Sequence, residues 1–222
     1  MPTPVQSLLE ALAAGSVQVV DLTQPLHEKT PVLKLPEPFA NTPGLTRHEI
    51  SRYDDRGPAW AWSWLEIGEH VGTHFDAPIH WITGKDGQDL ASVPPERLVG
   101  PAVMIDKSAE AAADPDYTLT VDDVRAFEAE HGPLPEGGWL LLRTGWDARA
   151  HDEEQFLNAG AAHSFDPPFP CHSFLLGAGK YGLTQLRNLQ LLPPTGALLV
   201  TAPLPIVGGS GSPTRVLALV ER

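Results

Sequence analysis

The chain has 222 residues, of which 42% are hydrophobic and 19% charged, enough to bury the core of one large domain or two small ones. A net charge of −13 argues against a nucleic-acid partner, because phosphate contacts need a basic surface. The single cysteine, Cys171, excludes an intrachain disulfide and suits a reducing cytoplasm, and no stretch reaches the about 18 apolar residues of a membrane span.

The 20 glycines and 23 prolines predict many turns and few long helices. The opening lacks a basic region and its apolar run is broken by Gln6, Glu10 and Gly15, so no signal peptide is expected. "VQSLLEALAAG" reads as a short amphipathic helix closed by Gly15, and "VQVVDLT" as a strand. Residues 25–44 are broken by five prolines and read as loop. "LTRHEIS" reads as a short strand. Trp60, Trp62 and Trp64 alternate in "WAWSWLEIG", the period of a strand with one aromatic face. "PAVMID" reads as a buried strand. "TVDDVRAFEAEHG" reads as a helix with Thr120 as N-cap, acids in its first turn and Gly132 as stop. "GWLLLRTG" is a strand, "DEEQFLNAG" a helix, and "SFDPPFPCHSFLLGAGKYG" irregular at first. "LTQLRNLQLL" fits a helical turn or an extended stretch. "GALLVTA" and "TRVLALVE" are late strands separated by the turn-rich "PIVGGSGSP". Strands outnumber helices in mixed order. The expectation is one α/β domain over residues 1–222 with a mixed or antiparallel sheet, not a repeated βαβ array.

"HVGTHFDAPIH", residues 70–80, holds three of the nine histidines and an aspartate. As an extended strand, His70 and His80 would stand about 30 Å apart, too far for one ion. As a helix, His70 and His74 would align, but Asp76 would point away and Pro78 would break it. The segment must therefore bend, and Gly72 allows a tight turn. Two imidazoles and a carboxylate make a three-ligand site with open positions, the pattern of a catalytic rather than a structural metal. Such ligands suit Zn²⁺, Mn²⁺ or Fe²⁺. Water on such an ion loses a proton near neutral pH and becomes a nucleophile. A further histidine near the metal moves that proton, and His80 is best spaced for it.

The segment resembles the H-x-G-T-H-x-D-x-P-x-H motif of the cyclase-like metal hydrolases, a family that includes bacterial kynurenine formamidases and isatin hydrolases. It matches at every fixed position. The likeness extends over "VVDLTQPL", "LLLRTGW", "PPFPCHSFLLGAGKYGLTQLRNLQLLPPTGALL" and "GGSGSPTRVLALV", the later blocks being more like isatin hydrolases. The resemblance implies a swivelling β/β/α-type fold and a homodimer or higher homo-oligomer. It implies one divalent ion, Mn or Zn, on His70, His74 and Asp76, with His80 transferring the proton. It implies hydrolysis of an amide C–N bond, often within a ring, by metal-bound hydroxide, and hence a small aromatic amide as substrate.

Three departures qualify the resemblance. His172 matches a second-metal histidine of the formamidases, but Gln185 stands where their glutamate is expected. A neutral amide is a poor metal ligand, so one metal is expected and His172 and Gln185 are given substrate-side roles. Leu33 stands where formamidases carry a tryptophan. "FLNAG" runs almost directly into "AAHSFDPP", so the domain is expected to be shortened near residues 158–164 relative to isatin hydrolases. The leading expectation is a hydrolase that opens a cyclic amide such as isatin. The alternatives are an N-formylkynurenine formamidase and a metal-binding relative inactivated by the missing segment. Trp60 and Trp81 are the aromatic residues expected at the substrate. Cys171 beside His172 is not read as a nucleophile: on a strand, neighbours point to opposite faces, and no further partner is evident. "GGSGSP" lacks the Gly-Lys-Ser/Thr of a phosphate loop and the G-x-S-x-G of a nucleophile elbow, and reads as a turn.

Overall fold

The computed structural model describes residues 2–157 and 169–222. Helix α1, Pro4–Ala14, starts at a capping box on Thr3 and ends where Gly15 turns left-handed at φ 72°. Strand β1, Val17–Asp21, follows. The proline-rich loop leads to a hairpin of β2, Thr46–Asp54, and β3, Gly57–Glu66, which among the described residues pair only with each other. The motif supplies a three-residue strand, β4, His74–Asp76, and a 3-10 turn, Pro78–His80. Then come β5, Val99–Asp106, α2, Ser108–Ala113, α3, Val121–His131, β6, Trp139–Arg143, and α4, Glu153–Leu157. After a π-helical turn at His172–Leu176, the strands β7, Gly182–Thr184, β8, Ala197–Thr201, β9, Gly211–Pro213, and β10, Val216–Glu221, complete the order.

Five strands form the main sheet in the order β1-β10-β8-β5-β6. Among the described residues only the β5–β6 pair is parallel, so the sheet is mixed. Alternation along β5 serves both faces: Ala102 and Met104 join Leu22, Leu199, Val216 and Ala218 on one side, while Val103 and Ile105 meet Phe127 of α3 on the other. α3 keeps the predicted cap, with Thr120 and Asp123 exchanging hydrogen bonds. A second sheet, β7-β4-β9, stands against the first face, where Trp139 and Leu183 touch both clusters. The layering is small sheet, main sheet, helix. It is a single α/β domain with a mixed sheet, as expected.

Three local readings change. Part of "GGSGSP" is strand β9 rather than a turn, because Gly211, Ser212 and Pro213 pair with β4. Such a strand has no apolar period to reveal it. Cys171 precedes a π-helical turn instead of lying on a strand. "LTQLRNLQLL" divides into β7 and a 3-10 turn at Leu189–Leu191. The helix read from "DEEQFLNAG" covers Glu153–Leu157; its remainder, and the shortened stretch near 158–164, lie outside the described residues.

Candidate metal centre

β4 is the centre strand of the small sheet, and its side chains alternate. Phe75 is fully buried with Ala77, Leu90 and Val93, so His74 and Asp76 share the opposite face. His70 reaches that face because the chain turns between them, with Gly72 at φ 61°. Thr73 locks the bend: its hydroxyl donates to the Gln185 carbonyl at 2.7 Å and accepts from the Gln24 amide at 2.9 Å. Ligand atoms of His70, His74 and Asp76 lie within 4.8 Å of one another.

The neighbouring strands leave room for this cluster. Asp76 pairs with Gly182 on one side and Gly211 on the other. A Cβ at Gly182 would come 2.9 Å from Asp76 Oδ2, and one at Gly211 would collide with the His70 ring. His74 Nδ1 donates to the Gly72 carbonyl at 2.7 Å, so the lone pair is on Nε2, which lies 3.4 Å from Asp76 Oδ1. Thr184 Oγ1 sits 3.0 Å from that ring. Two imidazoles and a buried carboxylate around a space cleared by two glycines fit a divalent cation.

Electrostatics favour an ionised Asp76 carboxylate beside His74, His80 and His172, three histidines that burial pushes towards the neutral form. Burial by itself raises the Asp76 carboxyl, but the His70 hydrogen bond and the nearby His74 outweigh it and hold the group below its ordinary value. Burial lowers His74, and burial followed by His70's charge lowers His80 to about 4. Burial also lowers His172. A histidine whose folded pKa is depressed binds its proton more weakly in the folded state. Metal-free protein is therefore expected to hold full stability above about pH 6.5 and to lose it as pH falls towards about 4. Thermal midpoints of chelator-stripped protein at stepped pH check this. His80→Gln should flatten the slope, and an unchanged slope would contradict the assignment to His80.

The predicted site residues separate into two places. His80 stacks on His70 at 3.8 Å between ring centroids. His172, carried by the π-helical turn, lies 5.6 Å from His80 and brings Nε2 to 3.7 Å from Asp76 Oδ2. Trp81 faces His172 at 5.1 Å, its indole N–H donating to Ser173 Oγ at 2.9 Å. Gln185 follows β7 at φ 56° and contributes the carbonyl that holds Thr73. Trp60 is elsewhere: it lies on the exposed hairpin, where it and Trp62 flank a shallow depression. Sequence reasoning missed Glu69, Ser173, Ser210 and the two glycines. Their residue types suggest nothing alone, and only the pairing of β4 brings Ser210, Gly211 and Gly182 to the motif.

A His-His-Asp cluster on the central strand of a small sheet, which covers a mixed one, is a candidate site for a divalent metal. The family model named Cyclase matches residues 20–175, and the chain belongs to that family. It is 45% identical to isatin hydrolase of Roseibium aggregatum over 259 aligned positions, covering 98% of each chain. A solved structure of an isatin hydrolase bound to the product analogue thioisatinate superposes with a TM-score of 0.92 at 42% identity, covering 98% of both chains. Kynurenine formamidase of Salinibacter ruber is 31% identical over 69% of this chain and 77% of that protein.

Proposed function

We propose that this chain is a metal-dependent amidohydrolase that opens the ring amide of isatin. The observation that carries the reading is near-full-length similarity to isatin hydrolase at 45% identity, joined to a His70-His74-Asp76 cluster able to hold a metal ion. His70, His74 and Asp76 hold one divalent ion, Mn or Zn by their nitrogen and oxygen chemistry. When bound, that ion supplies Lewis acidity at the amide carbonyl and an acidified water.

The chain's own residues do the rest. His80, kept neutral near pH 7 by burial, accepts a proton and delivers it to the departing nitrogen. Trp81, fixed by Ser173, forms an aromatic wall beside His172 against which a flat bicyclic amide stacks. His172 and Gln185 take substrate-side polar roles. The exposed Trp60, Trp62 and Trp64 support a homodimer or larger homo-oligomer, since apolar faces of this kind mark interfaces. Among the described residues no helix is long and apolar enough to cross a membrane, and the single cysteine supports a cytoplasmic setting. The isatin hydrolase alignment spans 259 positions against this chain's 222 residues, so the chain is shorter than that relative, and we place the shortening near 158–164 from the sequence.

Loss of isatin's visible absorbance tests the reading. Protein supplied with Mn²⁺ or Zn²⁺ is expected to bleach isatin and to stop when chelator is added. Faster turnover of N-formylkynurenine would favour the formamidase reading, which the 31% relative supports and Gln185 and Leu33 oppose. Bound metal without turnover of either amide would instead identify a non-catalytic relative.

A further inference from the structure

Beside the metal cluster stands a hydrogen-bond chain that the reaction has not used. Ser210 Oγ lies 2.6 Å from Glu69 Oε2 and 2.9 Å from His70 Nε2. The Ser210 amide also donates to Glu69 Oε2, at 3.1 Å. A hydroxyl has one proton, and a carboxylate is an acceptor only. The Ser210 proton therefore points to Glu69, and the hydroxyl presents a lone pair to His70. His70 Nε2 must then be the N–H donor. Its lone pair is on Nδ1, which faces Asp76 Oδ1 at 2.8 Å. Two acceptors at that separation need a cation, proton or metal, between them.

We infer that Glu69 and Ser210 are positioning residues that fix His70 as the Nε2–H tautomer and so make Nδ1 its metal-binding atom. His74 has the opposite arrangement, because the Gly72 carbonyl takes its Nδ1 proton and leaves Nε2 free. The two histidines of the motif thus present different ring nitrogens, each set by the group behind it. This explains how residues four apart around one bend converge on one space. His70, before the bend, offers its near nitrogen, Nδ1, and His74, after the bend on β4, offers its far one, Nε2. The inference rests on the metal site proposed above.

Two measurements test it. Nitrogen-15 spectra of histidine-labelled, unmutated protein loaded with Zn²⁺ should show His70 bound through Nδ1 with a proton on Nε2, and His74 the reverse. Zinc at His70 Nε2 would overturn the inference, whatever any variant does. Zn²⁺ dissociation constants, measured by chelator competition, should rise about 10- to 100-fold in Ser210→Ala and in Glu69→Gln. The double variant should cost no more than the weaker single one, because either change breaks the same chain, and Ser210→Thr should recover most of the affinity. Wild-type affinity in both single variants would also overturn the inference. Failure of the unmutated protein to bind Zn²⁺ would instead strike the metal site itself.

Discussion

Asp76→Asn protein is expected to purify without metal and to turn over isatin at least about a thousandfold more slowly than wild type, several kcal/mol of lost Lewis-acid stabilisation. Asparagine keeps the size of the side chain, and Asp76 is buried between Gly182 and Gly211, so the small sheet should survive. The carboxylate's charge does not. Its oxygens face His70 at 2.8 Å, His74 at 3.4 Å and His172 at 3.7 Å, which places its charge at the centre of the histidines. Elemental analysis and an isatin assay on the same preparation provide the check. About one ion per chain and a near-normal rate in the variant would remove Asp76 from the metal site.

Phe75→Ala should destabilise the protein by about 3–5 kcal/mol, the range for emptying a fully buried aromatic site. Phe75 is completely buried among Ala77, Leu90 and Val93, with the Tyr181 ring at 5.4 Å and the Trp139 ring at 6.2 Å. It joins the small sheet to the main one. Its neighbours along the strand are His74 and Asp76, so a strand that shifts to fill the cavity carries two metal ligands with it. Metal affinity should therefore fall together with stability. Urea denaturation of the metal-free variant checks the first effect and chelator competition the second. Phe75→Leu, which keeps most of the volume, should cost less than about 1.5 kcal/mol. Equal stability of the alanine variant and wild type would mean that the two sheets are held together elsewhere.

Much of the main sheet was legible because long-period rules apply to it. "PAVMID", "GWLLLRTG", "GALLVTA" and "TRVLALVE" are apolar runs bounded by turn residues, and each is a strand. Thr120 and Gly132 mark the ends of α3, because capping is a local interaction between residues three or four apart. The small sheet was much less legible. β4, β7 and β9 have three residues each, too few to show a period, and β9 is Gly-Ser-Pro.

The motif divides in the same way. By itself, "HVGTHFDAPIH" determined that the chain must bend, that Gly72 permits the bend, and that two imidazoles and a carboxylate are available to one ion. The tertiary structure decided which groups surround them. It brought Gly182, Thr184, Ser210 and Gly211 against β4 from more than a hundred residues away in the chain. It carried His172 to Asp76 on a π-helical turn and Trp81 to His172, and it left Trp60 on an exposed hairpin. The reason is the range of the forces involved. Ligand type and backbone freedom belong to single residues and their neighbours. The space beside a ligand, and the partner of its second nitrogen, depend on which distant strands pair with it.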